Sequence, residues 1–168
     1  PKDFSISARI GKGEFFVIEA DEYDTAFFDK RAKFVHYHPE VLVINNLEFD
    51  HADIYSNLEE IQKQFHNLIR AMPSYGCLIC PDDNKNIEQV LELGVWSEVK
   101  RFGVDKKNSN YYEAIKEDYS SIRFHLDNDF GDINWNLTGE HNVSNAMAAL
   151  LVLNHLNFPL SSSAKALE

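Results

Sequence analysis

The pattern of apolar and polar positions along the chain predicts an α/β fold. Three stretches are continuously apolar, at residues 15–18, 41–44 and 77–80. Stretches without a polar interruption are typical of strands buried on both faces of a parallel sheet. We expect the second strand to extend to residue 47, and the first to form a hairpin with residues 3–10.

Segments with helical spacing of apolar residues predict the helices that flank this sheet. Each of these predicted helices begins next to a residue type that is common at helix N-termini. The helix that follows residues 82–84 is predicted to end at Gly94. The starts are Ser56 or Asn57, residues 82–84, Gly139, and residues 161–163.

A different pattern between about residues 104 and 137 predicts a small antiparallel β appendage. Apolar and polar residues alternate over 111–115, 121–126 and 133–137, with a turn composition before the last of these. Alternation of this kind is typical of half-exposed antiparallel strands. Residues 23–33 have no clean period, which predicts a loop with a short helix.

Both of the first two apolar stretches run into an acidic cluster. In open α/β sheets, ligands bind beyond the carboxyl ends of the strands, so these clusters predict a cation and phosphate site. Glu19 and His51 are the candidate metal ligands and catalytic residues, for Mg²⁺ or Mn²⁺, with Asp24, Asp50 and Asp53 as supports. The alternative is that the acids are solvated loop residues and that His51 caps the next segment.

The predicted helix start at Gly139 offers a second group of candidate binding residues. A helix N-terminus presents free backbone N–H groups, and His141, Asn142 and Asn145 add side-chain donors and acceptors. An Asn amide can pair with the edge of adenine. The alternative is an ordinary polar helix start.

Composition narrows the classes of partner. The 168 residues suffice for one α/β core, and 16 basic against 27 acidic residues give a net charge of −11. No basic stripe exists, so we expect neither nucleic acid nor a membrane surface as partner. Cys77 and Cys80 would point to opposite faces of a strand, which favours two buried thiols in a reducing, cytoplasmic setting over a redox or zinc pair.

Three segments together resemble motifs of the Mur ligases, which build the peptidoglycan stem peptide. The resemblance is to the central ATP-binding domain of that family. It is carried by Glu19-Ala20-Asp21-Glu22, residues 46–53 and residues 139–146, in that order. The stretch from Asp21 to Arg31 is similar to the family member that acts in peptidoglycan recycling.

The resemblance implies ATP-dependent amide formation. The lactyl carboxylate of UDP-N-acetylmuramate would become an acyl phosphate, which the amine of the tripeptide L-Ala-γ-D-Glu-meso-diaminopimelate attacks. Glu19 and His51 match the family's metal positions, with Asp21 and Asp50 beside them. His141, Asn142 and Asn145 match the segment that meets the adenine of ATP.

The chain departs from the family pattern because it contains no G-x-x-x-x-G-K-[ST] phosphate loop. We therefore expect residues 1–168 to be a partial, P-loop NTPase-like central domain without its P-loop, its N-terminal UDP-binding domain or its C-terminal domain. Such a chain would have no ligase activity alone and would bind ATP weakly at most.

Other functions stay open on the sequence alone. Within the family, these are UDP-N-acetylmuramate:L-alanine ligase and a folylpolyglutamate-type ligase. A metal-dependent phosphohydrolase, suggested by the acidic residues around His51, and a non-catalytic nucleotide-binding module belong to different classes.

Overall fold

The computed structural model describes residues 10–20, 23–49 and 54–168. Within these residues the chain forms eight strands, four α-helices and one 3₁₀ turn. In chain order they are β1 Asp24–Ala26, β2 Asp29–Ala32, the 3₁₀ turn Lys33–His36, β3 Val41–Val43, α1 Leu58–Arg70, β4 Cys77–Pro81, α2 Lys85–Glu92, β5 Glu98–Phe102, β6 Asn110–Ala114, β7 Ser121–Leu126, β8 Asp129–Asn134, α3 Glu140–His155 and α4 Leu160–Lys165.

A three-stranded parallel sheet, in the order β3-β4-β5, forms the centre of the fold. Every residue of β4 is buried, as its uninterrupted apolar sequence predicts. Leu78 and Cys80 pack into a core with residues of α1 and α2. Cys77 and Ile79 face the other way, into a core with α3 and the strands β6 to β8. The predicted α/β class is confirmed, and so is the placement of the two thiols on opposite faces.

The predicted starts of α1 and α2 are confirmed by their capping hydrogen bonds. The Asn57 side chain accepts a hydrogen bond from the backbone N–H of Glu60 at 3.0 Å. The Glu60 carboxylate accepts one from the N–H of Ser56, the residue before the cap, at 2.8 Å. Asn84 caps α2 by accepting from the N–H groups of Asn86 and Ile87.

The antiparallel appendage consists of β6, β7 and β8, and it lies within the predicted range. The predicted bounds of its last strand were wrong, because β8 begins at Asp129 and not at residue 133. Asp127 adopts a left-handed backbone conformation with φ 52°, which closes a two-residue turn between β7 and β8. Gly131, which favours a turn on composition, pairs with Phe124 inside the ladder.

The expectation that residues 15–18 form a buried strand was wrong. They have no regular secondary structure, and their side chains are 47% to 93% exposed. A strand needs a neighbour to complete its hydrogen bonds, and within the described residues β3 pairs with β4 alone. The apolar composition of residues 15–18 was therefore not sufficient to make them a strand. Of its predicted hairpin partner, residues 3–9 lie outside the described residues.

The expectation of a loop with a short helix over residues 23–33 was also wrong. Residues of β1 and β2 pair as a hairpin, and the 3₁₀ turn begins at Lys33. Lys30 donates to Asp24 at 2.6 Å, and the Arg31 guanidinium binds the Asp29 carboxylate. Charged pairs thus accompany a strand pairing that the apolar pattern did not indicate.

No helix within the described residues is long and apolar enough to cross a membrane.

Burial of the strand thiols makes stability sensitive to alkaline pH. Burial raises the pKa of Cys80 from 9.0 to about 11. An unfolded chain loses this proton first, so the free energy of unfolding should fall as pH rises from about 9 to about 11. We expect Cys80→Ala to reduce this fall by up to about 1.4 kcal/mol per pH unit. Urea denaturation at several pH values across that range measures the free energy of unfolding. If its dependence on pH were the same in Cys80→Ala as in the unaltered protein, Cys80 would not be the source of the fall.

Candidate functional site

A cluster of amide side chains lies at the carboxyl edge of the parallel sheet. Beyond β3, the backbone N–H of Ile44 still donates to the carbonyl of Ile79 at 3.0 Å, so Asn45 leaves the sheet at its edge. The Asn45 Nδ2 donates to Oδ1 of Asn145 at 2.5 Å. The Ser144 hydroxyl donates to Oδ1 of Asn45 at 3.0 Å. Two hydrogen bonds therefore join the end of β3 to the first turns of α3.

A second set of amide contacts joins the segment after β3 to the start of α2. The Asn84 side chain donates to Oδ1 of Asn46 at 3.1 Å, while Asn46 Nδ2 donates to the Glu48 carboxylate at 3.1 Å. The Asn86 side chain donates to the carbonyl of Leu47 at 2.9 Å. The segment from Asn45 to Glu48 is thus held between two helix starts.

The start of α3 depends on a glycine. Gly139 has φ 88°, a left-handed conformation that strains other residues, and its N–H donates to the carbonyl of Asp118 at 3.0 Å. A Cβ added there would lie 2.9 Å from the His141 ring. Asn142 Nδ2 contacts His141 Nε2 at 3.0 Å and donates to the Thr138 carbonyl at 2.8 Å. The side chains of His141 and Asn142 are therefore in contact with each other in the first turn of α3.

Two titratable side chains, the half-buried Asp82 and the buried Tyr112, border the same edge. Burial raises the pKa of the Asp82 carboxyl, which directly follows β4, and the charge of Asp83 raises it further. The Asn108 side chain donates to Asp82. Burial and the hydrogen bond to Glu140 raise the pKa of the Tyr112 phenol, whose hydroxyl lies 2.8 Å from that carboxylate. The Tyr112 bond fixes Glu140 in the first turn of α3.

The structure brings together only part of the set predicted from the sequence. His141, Asn142 and Asn145 share the first two turns of α3, and Asn145 meets the end of β3. Glu19 is exposed, in a segment without regular structure, and its carboxylate has no partner among the described residues. Asp21, Asp50 and His51 lie outside the described residues.

Because residues 15–18 are not a strand, the first acidic cluster does not follow a strand end, as the sequence had predicted. Sequence reasoning also missed residues that build the edge: Asn45, Asn46, Asn84, Ser144 and Tyr112. An available signal was the pair Asn45-Asn46 directly after an aliphatic stretch, because amides there sit at the end of a buried strand.

A parallel sheet with polar side chains and a helix start at its carboxyl edge is the arrangement of ligand-binding α/β domains. The chain belongs to the Mur ligase family: residues 5–153 match the Mur ligase middle domain. The family resemblance of the sequence motifs is thereby confirmed.

Individual relatives show which members of the family the chain is similar to. The chain is 45% identical over 99% of its length to the UDP-N-acetylmuramate–L-alanyl-γ-D-glutamyl-meso-2,6-diaminoheptandioate ligase of Escherichia coli (strain K12), of which it covers 36%. It is 30% identical over 98% of its length to the UDP-N-acetylmuramate–L-alanine ligase of Persephonella marina, of which it covers 34%.

Structural comparison agrees with this similarity. The crystal structure of the UDP-N-acetylmuramate:L-alanyl-γ-D-glutamyl-meso-diaminopimelate ligase from Neisseria meningitides matches with a TM-score of 0.82 at 44% identity. The match covers 91% of this chain and 47% of that one. The chain thus spans about a third of the length of the curated relatives it matches.

Proposed function

We propose that the chain is the central part of an ATP-dependent ligase that joins UDP-N-acetylmuramate to L-Ala-γ-D-Glu-meso-diaminopimelate in cytoplasmic peptidoglycan recycling. The observation that carries this is the contrast between 45% identity to a tripeptide-adding ligase and 30% identity to an alanine-adding one, both along nearly the whole chain. The other domains of the ligase would lie outside these 168 residues, and so would the phosphate loop of the central domain.

The donor chemistry of the chain fits a hard divalent cation. Mg²⁺ prefers carboxylate oxygens, and Glu19 offers an exposed carboxylate without a competing partner among the described residues. His51 would be the second protein ligand, and its imidazole also suits Mn²⁺. Asp21 and Asp50 would orient these ligands. When bound, the cation would supply positive charge to the transferring phosphoryl group.

The amide cluster fits the base of a nucleotide. Asn145 uses Oδ1 to accept from Asn45, which leaves its Nδ2 without a partner in the described structure. A held amide with a free donor suits an acceptor nitrogen of adenine. The backbone N–H groups at the start of α3 add further donors and a positive partial charge.

The two groups of candidate residues have different roles in the proposed reaction. Glu19 and His51 would hold the cation that the phosphate groups of ATP bind, next to the lactyl carboxylate. A carboxylate oxygen takes the γ-phosphoryl group as the bond to the β-phosphate breaks, and ADP is the leaving group. His141, Asn142 and Asn145 hold the adenine end. The tripeptide amine then attacks the acyl carbon, phosphate leaves, and the proton of the amine goes to a base. Positioning the two reactants in this way supplies much of the rate enhancement.

The choice of acceptor tests the proposed function. We expect the complete ligase to use the tripeptide with a kcat/KM at least about 100-fold above that for L-alanine, because the site would be built to hydrogen-bond the longer acceptor. Amide product formed with UDP-N-acetylmuramate and ATP is measured for each of the two acceptors, and a parallel assay offers folate with glutamate as the amine. Preference for L-alanine would identify the sister activity, and amide formation from folate and glutamate would identify a folylpolyglutamate-type ligase.

The phosphohydrolase alternative makes a different prediction. It requires steady phosphate release from ATP when no amine acceptor is present, whereas a ligase releases phosphate in step with the amide product. The isolated 168-residue chain should do neither.

Asn145 provides a direct test of the adenine assignment. We expect Asn145→Ala to raise the KM for ATP about 10-fold in the complete ligase, because one base contact contributes about 1–3 kcal/mol. Asn154→Ala, toward the other end of α3, is the matched control and should leave this KM unchanged. An unchanged KM for ATP in Asn145→Ala would remove Asn145 from the nucleotide site.

A further inference from the structure

The amino ends of the parallel strands carry a group of metal-ligating side chains far along the strands from the amide cluster. Cys77 is the first residue of β4 and Glu98 the first of β5, and the two are direct neighbours in the sheet register. His155 is the last residue of α3. The thiol sulfur, a carboxylate oxygen and an imidazole nitrogen of these residues all lie within 4.8 Å of one another.

The backbone holds two of these three residues rigidly. The N–H of Cys77 donates to the carbonyl of Glu40 at 2.9 Å, and the N–H of Glu98 donates to the carbonyl of Gly76 at 3.1 Å. His155 Nδ1 lies 3.9 Å from the Glu98 carboxylate. The dipole of α3 also favours a positive charge at this end of the helix.

We propose that Cys77, Glu98 and His155 form a binding site for a thiophilic divalent cation such as Zn²⁺. Thiolate, imidazole and carboxylate together form a ligand set for Zn²⁺, whereas Mg²⁺ takes oxygen ligands. The site is therefore distinct from the cation site of the proposed ligase reaction, and it does not depend on that function.

The distances fit coordination after a small adjustment. Tetrahedral Zn²⁺ with bonds of about 2.0 to 2.3 Å holds its ligand atoms about 3.3 to 3.8 Å apart. The Glu98 side chain is 57% exposed, so it can rotate to close the remaining gap. Lys100 Nζ lies 4.0 Å from the other oxygen of Glu98 and would stay paired with it. Three protein ligands leave a fourth position for water.

Binding has a defined proton balance. The Cys77 thiol is fully buried, which favours its protonated form in the metal-free protein, and it donates weakly to the carbonyl of Leu78 at 4.0 Å. The sulfur–metal bond forms as the S–H bond breaks, and the proton goes to solvent. The cation would then link the end of α3 to the start of β4 and β5.

Cobalt titration tests this site, because a Co²⁺–thiolate bond gives a charge-transfer absorption that oxygen and nitrogen ligands do not. The purified protein is titrated with Co²⁺ in the presence of a phosphine reductant, and Zn²⁺ is then added to displace the cobalt. We expect the band to form, to vanish with Zn²⁺, and to be lost in Cys77→Ala.

Cys80→Ala is the matched control, since Cys80 is an equally buried thiol on the same strand but faces the other core. It should keep the band. Absence of the band from the unaltered protein, its survival in Cys77→Ala, or an equal loss in both variants would overturn the proposal.

His155 and Glu98 are more exposed than Cys77, so substituting them tests the metal site without disturbing the hydrophobic core. We expect His155→Gln and Glu98→Gln each to weaken Co²⁺ binding at least about 10-fold. Should Cys77→Ala fail to fold, these two variants decide, and unchanged Co²⁺ affinity in both would overturn the proposal.

Discussion

Replacing Glu19 by glutamine in the complete ligase is expected to lower kcat by about 100- to 1,000-fold. The proposed role of this carboxylate is to hold a cation at the phosphate groups, and loss of a charge-stabilising group at a reacting centre has effects of this size. The free energy of unfolding should not change, because Glu19 is exposed and has no partner among the described residues. Steady-state assays with UDP-N-acetylmuramate, ATP and the tripeptide measure the rate.

Glu14→Gln is the matched control for this prediction. Glu14 lies in the same segment and is also exposed, so the two variants remove the same charge from the same surface. We expect Glu14→Gln to change kcat less than about twofold, because Glu14 has no proposed role at the reacting groups and its removal changes only the surface charge. Equal losses in the two variants would point to general electrostatics, and full activity of Glu19→Gln would refute the assigned metal role.

Replacing Phe124 by alanine is expected to lower the free energy of unfolding by about 3–5 kcal/mol. Phe124 lies in β7, is 1% exposed, and belongs to the core between the sheets and α3. Gly131 on the paired strand leaves room for its ring, because an added Cβ there would lie 2.6 Å from the ring. The alanine variant would leave a cavity that neighbouring strands cannot close. Urea denaturation followed by circular dichroism measures the change.

Phe130→Ala is the control, because Phe130 is a phenylalanine of the neighbouring strand that is 66% exposed. Its ring contacts His125, at a centroid distance of 5.9 Å, and the Arg123 guanidinium. We expect a loss below about 1 kcal/mol, since these contacts are largely solvated. A loss as large as that of Phe124→Ala would mean that the exposed face of this sheet is a second core.

The elements that the sequence predicted well are those whose signal is local. Asn57 is a residue type that caps helices, and the structure shows its side chain accepting from the N–H of Glu60, three residues later. The strand at β4 is apolar without interruption, which suits a central strand covered on both faces. In both cases a few consecutive residues contain the physical cause of the element.

The elements that the sequence predicted poorly depend on distant partners. The stretch at residues 15–18 is as apolar as β4, yet it is exposed and unpaired in the described structure. Conversely, β1 and β2 pair although neither is markedly apolar, and an ion pair between Lys30 and Asp24 crosses the hairpin. Hydrogen bonding between strands is a tertiary property, so composition alone did not distinguish these cases.

By itself, the sequence determined the α/β class, the starts of α1, α2 and α3, the opposite orientations of Cys77 and Cys80, and the Mur ligase family. These follow from local periodicity, capping chemistry and short motifs. The sequence misplaced the start of α4, which begins at Leu160, so that the predicted capping serines 161–163 lie inside the helix. Only the tertiary structure decided that Asn45 meets Asn145, across 100 positions, and that Cys77, Glu98 and His155 converge at the opposite edge of the sheet. Strand register and helix packing bring such residues together, and no short stretch of sequence encodes either.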